Sequence, residues 1–166
     1  MPNASDERAL EGVSLRTARP EDEDFLRRVY ASTRAEELAV TGWDDATMAA
    51  FIAHQFAAQH THYMSNYEGA SYDVILVHGE PAGRLYVARW GGEIRVMDVA
   101  LLPAHRGKGI GSFLLESILA EAAASKRKVS VHVERANPAM TLYRRLGFEL
   151  VEEKEVYVLM EWAPPD

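Results

Sequence analysis

Apolar residues recur along this chain in two rhythms, and the change from one to the other marks its elements. Met48, Phe51, Ile52 and Phe56 stand close to a 3.6-residue period. A helix is predicted there, with Asp44 or Asp45 as its cap. The same period returns in SFLLESILAEAAAS, where Leu114, Leu115, Ile118, Leu119 and Ala122 form one stripe. A shorter helix is predicted in NPAMTLYRRLGF, with Pro138 near its start and Gly147 just past its end. Pro20 followed by EDEDFLRRVYAS puts acids at the front of another helix, where the helix dipole favours them. Elsewhere apolar residues alternate or come in short runs. VSLR (13–16), DVILV (73–77), GRLYVARW (83–90), EIRVMDVAL (93–101), KVSVHV (128–133), FELVEE and VYVLMEW read as strands. HGEPA and Gly91-Gly92 read as the tight turns of a meander, and the polar, aromatic HTHYMSNYEGAS as a loop.

The order is strand, two helices, three strands, helix, strand, helix, two strands. It predicts a mixed α/β architecture, one sheet with helices on its faces. The unit over 93–133 should be a right-handed crossover between parallel strands, and the last two strands an antiparallel pair. No repeat or long linker interrupts the 166 residues, which suit one domain. We read 1–12 as a flexible tail and 13–163 as the domain.

Composition narrows this picture. At 48% hydrophobic the chain can bury a core, yet it has no apolar run long enough to span a membrane. The first residues, MPNASDERALEG, lack an apolar signal core, so the triplet Asn3-Ala4-Ser5 reads as a chance match to a glycosylation acceptor. The absence of cysteine excludes disulfides, thiolate metal sites and cysteine nucleophiles. It fits a reducing compartment, and a cytoplasmic protein is expected. A formal net charge of −7 argues against a nucleic-acid binder, whose only support is Arg106, Lys108 and the run KRK at 126–128. That run suits the dipole at the end of a helix. An acidic body with one basic spot fits a protein that holds a small anion and accepts a cationic second partner.

The basic spot is HRGKGIG, between the run IRVMDVALLP and the helix at 112–125. The first amides of a helix lack partners inside it, and with the dipole they favour an anion. Gly107, Gly109 and Gly111 would let the backbone approach that anion, and Arg106 and Lys108 would add charge. The stretch reads as a pyrophosphate cradle. It is neither GxxxxGK[ST] nor GxGxxG, so it lends no support to nucleotide hydrolysis or hydride transfer.

Together with Asn137, Ala139, Leu142-Tyr143 and Leu146-Gly147-Phe148, the run Arg106-Gly107-Lys108-Gly109-Ile110-Gly111 resembles the two signatures of the GNAT superfamily of acyl-CoA-dependent N-acyltransferases. Its acyl-CoA motif is [R/Q]-x-x-G-x-[G/A]. The resemblance is strongest over about 93–150 and weaker over 17–70. It implies a central mixed, mostly antiparallel seven-stranded sheet, flanked by about four helices, whose parallel middle strands splay apart around the pantetheine arm. It implies that Val99, Ala100 and Leu101 line the arm, that residues 107–112, including Ile110 and Ser112, hold the pyrophosphate, and that Asn137 contacts the cofactor beyond the splay. Acetyl-CoA is the implied acyl donor and a small-molecule amine the implied acceptor, attacking the thioester directly in a ternary complex. No metal, nucleic acid or membrane is implied. A homodimer meeting through the last two strands is open. A protein N-terminus or lysine is an alternative acceptor, and a non-catalytic acyl-CoA sensor an alternative role.

That reaction needs a proton taken from the amine, a donor for the oxyanion and a proton for the thiolate. The backbone N–H of Leu101 or Val99 is the candidate oxyanion donor. The resemblance makes Tyr143 the proton donor to sulfur. A phenol's ordinary pKa of about 10 exceeds a thiol's of about 8.5, although Tyr143 also belongs to an apolar stripe with Ala139, Leu142 and Leu146. Asp98, His132 and Glu134 are candidate bases, and a water chain is the alternative to all three. Asp98 could equally be an ion-pair partner for Arg95 or Arg106, and His132 a satisfied strand residue. Relatives with this fold wall the acceptor site with the first two helices and the following loop. Trp43, Gln55, His60, Tyr63 and Tyr67 are therefore pocket candidates, with Glu36, Glu37 and Asp44 able to attract a cation. His54, His60 and His62 have no tight carboxylate companions and suggest no metal.

Overall fold

A computed structural model describes residues 10–135 and 137–166. The Asn3 triplet and most of the tail expected over 1–12 therefore lie outside the described residues. Leu10 already packs against the core, and the Gly12 carbonyl accepts from the His78 amide at 2.8 Å, so the fold is joined before the first strand.

Seven strands form one sheet: β1 (Val13–Thr17), β2 (Ser71–Val77), β3 (Glu80–Arg89), β4 (Glu93–Leu101), β5 (Lys128–Glu134), β6 (Glu149–Glu153) and β7 (Tyr157–Trp162). Their spatial order is β1-β2-β3-β4-β5-β7-β6, antiparallel throughout except for the parallel pair β4–β5. The mixed, mostly antiparallel seven-stranded sheet anticipated above is thus present. His78 and Gly79, with φ of 50° and 81°, alone turn the β2–β3 hairpin. Glu80 and Pro81, expected in that turn, already belong to β3 because Val77 pairs with Glu80.

The helices are α1 (Glu23–Ala39), α2 (Asp45–Asn66), α3 (Ile110–Ser125) and α4 (Ala139–Arg145). Arg16 of β1 pins the entry to α1, donating to Asp22 at 2.7 and 2.8 Å. This pairing, helped by the Arg19 amide, holds the Asp22 carboxyl down to about 2. The Asp44 side chain caps α2, accepting from the Thr47 amide at 2.7 Å. Past His60 the expected loop proves to be helix as far as Asn66. Tertiary packing overrides local polarity there: the Tyr63 ring meets Tyr86 of β3 edge-on at 5.8 Å, and the Asn66 amide group donates to the His62 carbonyl at 2.8 Å.

The sheet is covered on both faces. The α3 stripe is wholly buried, with Leu114, Leu115, Ile118, Leu119 and Ala122 set against Ile94, Val96, Val129, Val131 and Val133. Each large aliphatic side chain buried this way contributes about 1.5–3 kcal/mol. On the opposite face Leu26 and Tyr30 of α1 and Ile52 and Phe56 of α2 close over Val74. Among the described residues no helix is long and apolar enough to cross a membrane.

One irregularity in β4 sets up the site. Tyr86 pairs with Asp98 but Val87 pairs with Val96, so Met97 is an extra residue, a β-bulge. Before it Ile94 and Val96 face α3; after it Val99 and Leu101 do. The bulge thereby turns Asp98 toward α1 and α2. It also sits where β4 leaves β5, since their pairing ends at Val96 with Val131 although both strands continue.

Candidate active site

Beyond Val96, β4 has a neighbour on one side only. The Leu102 amide donates to the Ala82 carbonyl of the β3 side at 2.9 Å. Antiparallel alternation then directs the N–H and C=O groups of Leu101 and Val99 into the gap toward β5, and those of Ala100 toward β3. Among the described residues these groups have no strand partner across the gap, which is open to a ligand that can act as a strand.

At the end of β4 the chain makes a short 3₁₀ turn, Pro103–His105, and enters the glycine run. Gly107 and Gly109 have φ of 74° and 83°, a conformation that L side chains rarely adopt, and a Cβ at either would meet nothing within 4 Å. The space above both is open. The first intrahelical bond of α3 runs from the Phe113 amide to the Gly109 carbonyl at 3.0 Å, so the amides of Ile110, Gly111 and Ser112 have no partner within the helix. Gly107, Lys108, Gly109 and Ser112 line an open pocket of about 220 Å³ at this helix start, together with Leu10, Phe113 and Glu116. Helix-start amides without an intrahelical partner, open space and Lys108 suit an anion such as a diphosphate, with the Glu116 carboxylate opposing it.

The two bases of the run part company. Lys108 lines the pocket. Arg106 turns away, donating through Nε to the Leu101 carbonyl at 2.9 Å and through Nη2 to the Ser32 hydroxyl of α1 at 3.2 Å.

The other side of the gap is a wall of side chains. Asp98 is ion-paired with Arg84, and not with Arg95 or Arg106, the partners considered as an alternative above. Arg84 is only 2% exposed, and its guanidinium lies 5.7 Å from the Tyr30 ring and 5.0 Å from that of Tyr86. It donates to Gln59 at 2.9 Å. The bulge explains the pairing: Asp98 stands opposite Tyr86, on the face that Arg84 shares. Arg95 instead donates to Ser130 at 2.6 Å and to Glu93 at 3.1 Å, and reaches the Tyr67 hydroxyl at 3.4 Å. Its Nη1 is 3.3 Å from Nδ1 of His132. Partial burial, then the Arg95 charge, lower the His132 pKa, so the ring is neutral at neutral pH. Glu134 is engaged by Arg34 of α1 at 3.4 Å.

Tyr143 of α4 is buried, with its ring edge-on to Phe148 at 5.4 Å. Burial, and then the negative charge of Asp98, raise its pKa well above the usual phenol value. Tyr63 is raised by the same two causes in the same order. Both phenols therefore keep their protons around neutral pH.

Of the expected pocket residues, Tyr63 and Tyr67 join this wall. Tyr67 stacks on Trp90 at 6.0 Å. His60 lies beside it against Tyr72, 6.3 Å between ring centroids. Gln55 is half-buried one helical turn before Gln59, and it is Gln59 that meets Arg84. Trp43 is set apart: it packs on Phe51 at 5.2 Å, and Phe51 is about 18 Å along α2 from Tyr63. The Asn137 side chain accepts from the Ala139 amide at 2.9 Å and caps α4. Arg84, Gln59, Tyr86, Tyr30 and Arg34 were missed by sequence reasoning. The available signal was Arg84, a charge inside the otherwise apolar run PAGRLYVA, which requires a buried partner. Among the described residues no group of three or more His, Cys, Asp or Glu side chains could hold a metal ion.

The family model described as an acetyltransferase (GNAT) domain matches residues 68–150, from before β2 into β6. The chain belongs to the GNAT acetyltransferase family. Known structures share the GNAT fold over nearly their whole length. The PaiA N-acetyltransferase from Thermoplasma acidophilum, in complex with coenzyme A, is 16% identical with a TM-score of 0.68, covering 91% of this chain and 98% of that one. An acetyltransferase from Thermus thermophilus is 18% identical with a TM-score of 0.67, covering 93% and 99%. A GNAT family acetyltransferase from Elizabethkingia anophelis with acetyl-CoA bound is 12% identical with a TM-score of 0.59, covering 92% and 99%. At these identities the likeness is one of fold. No curated protein matches the chain in sequence.

Proposed function

We propose that this GNAT protein transfers an acetyl group from acetyl-CoA to the primary amine of a small molecule, by direct attack within a ternary complex. The observation that carries the reading is the early end of β4–β5 pairing at Val96 and Val131, on the strand that leads into a turn whose helix-start amides have no intrahelical partner. The gap-facing groups of Val99 and Leu101, which have no strand partner there, suit the amides of the pantetheine arm. Residues 107–112 suit the diphosphate by backbone, with Lys108 adding charge. The two relatives solved with coenzyme A or acetyl-CoA share this fold.

The amine enters from the α1 and α2 side, where Asp98, Tyr63 and Tyr86 form a compact wall. Its nitrogen bonds to the thioester carbon as the carbon–sulfur bond breaks. The N–H of Leu101 or Val99 receives the developing oxyanion. Tyr143, kept protonated by burial, gives its proton to the departing thiolate. The amine proton leaves toward Asp98, directly or through water. His132 and Glu134 are the alternative bases: Nδ1 of His132 faces Arg95, and Arg34 holds the Glu134 carboxylate as Arg84 holds that of Asp98.

The test has two readings. Calorimetry with acetyl-CoA measures donor binding. Thiol release is then followed with 1,4-diaminobutane, tyramine, glycinamide, lysine and a lysine-containing peptide. Saturable thiol release with a small amine is expected. Binding without release for any amine identifies an acyl-CoA sensor, release only with the peptide a protein acetyltransferase, and no binding removes the proposal.

A further inference from the structure

The acyl-CoA signature assigns Arg106 to the phosphates, yet its guanidinium points to the acceptor side. The Arg106 Nε bonds the Leu101 carbonyl at 2.9 Å, a group that faces the β4–β5 gap. Its Nη2 bonds the Ser32 hydroxyl at 3.2 Å and approaches the Ser32 carbonyl at 3.5 Å. The roles are chemically consistent, because the Ser32 hydroxyl donates to the Val29 carbonyl at 2.7 Å and keeps its lone pairs for Arg106. Two residues further along α1, Arg34 is paired with Glu134 at the far end of β5 at 3.4 Å. Residues 32–34 thus bridge the gap, tied on one side to the end of β4 and on the other to the end of β5.

We infer that Arg106 and Glu134 are positioning residues that anchor α1 across the splayed strands, so that occupation of the gap by acetyl-CoA sets the position of the acceptor wall. The inference rests on the donor reading given above. The Leu101 carbonyl is the shared element. A pantetheine amide bonded there lies against the same oxygen that holds Arg106, and Arg106 passes the constraint to Ser32. A carbonyl has two lone pairs, so both donors can be held together. Lys108, which lines the diphosphate pocket, is left as the phosphate cation of the run. The prediction runs against the motif: removing the Arg106 charge should disturb α1 and the amine, and spare the phosphates.

The experiment compares wild type, R106Q, R106K, E134Q and K108A, using acetyl-CoA calorimetry and hydrogen exchange of the α1 amides. R106Q is expected to keep its acetyl-CoA Kd within about twofold of wild type and to speed α1 exchange about fivefold, as loss of a single hydrogen bond would. Acetyl-CoA slows α1 exchange in wild type and no longer does so in R106Q, although it still binds. E134Q loosens α1 without changing the Kd. K108A weakens acetyl-CoA about tenfold and leaves α1 exchange alone. With the best amine of the panel, R106Q raises KM more than it lowers kcat, and R106K restores part of the loss. The inference is overturned if R106Q weakens acetyl-CoA as much as K108A does, or if α1 exchange and its response to acetyl-CoA match wild type. Failure of wild type to bind acetyl-CoA would instead overturn the donor reading.

Discussion

The glycine turn and the wall of side chains on the α1 and α2 side meet at the end of β4, yet they are built by opposite means. The turn is seven consecutive residues, Arg106 to Ser112, and its chemistry is main-chain: left-handed glycines and amides that precede the first helical bond. The wall draws Tyr30 and Arg34 from α1, Gln59 and Tyr63 from α2, Arg84 and Tyr86 from β3, Asp98 from β4, and His132 and Glu134 from β5. A backbone site is specified by a short string and tolerates change around it. A side-chain site is specified by pairs distant in sequence and fails when one partner is lost.

The largest expected effect tests the wall. Arg84→Met leaves Asp98 without its partner, and unpairing a buried ion pair costs about 3–5 kcal/mol. Denaturant unfolding should show that loss, with acetyl-CoA affinity of the folded fraction within about twofold of wild type. Adding Asp98→Leu should recover most of the stability and none of the amine transfer. If Arg84→Met alone were neutral, the wall would not depend on paired charge. The turn should behave in the reverse manner. Gly109→Val forces a β-branched residue to φ near 83° and fills the open side of the cradle. Calorimetry should show acetyl-CoA binding weakened about 100-fold, while the melting temperature falls by only a few degrees.

Tyr143→Phe probes where the two regions meet. Its kcat should fall about 10- to 100-fold with acetyl-CoA affinity unchanged. Because burial raises the Tyr143 pKa, the phenol stays protonated through neutral and mildly alkaline pH. The deficit should therefore be flat with pH across that range, and a deficit that vanished above neutrality would deny Tyr143 the role of acid. The smallest effect is at Gln59→Ala, which removes one 2.9 Å bond to Arg84. About 1 kcal/mol of stability should be lost, with donor binding untouched.

Much of the fold was legible in the sequence because it rests on local periods. The α3 stripe, the β4 boundaries and the alternating residues of β5 needed only the spacing of apolar positions. The glycine run was legible because backbone conformation and helix ends follow from short strings. The end of α2 was misread as loop because its polar and aromatic residues gain their reason to be helical from β3. The Arg84 partner of Asp98 was not foreseen, because simple alternation puts Asp98 on the face of Ile94 and Val96 and Arg84 lies on a different strand.

The sequence by itself determined the order of elements and the glycine turn at the start of α3, since each depends on residues a few positions apart. Only the tertiary structure decided which charges meet. An extra residue in β4 reverses its alternation at Met97, so Asp98 faces Arg84 and the edge of β4 is freed from β5. Alternation in a strand has period two, so one inserted residue exchanges the faces of everything after it, and the register against β3 reveals the bulge at Met97.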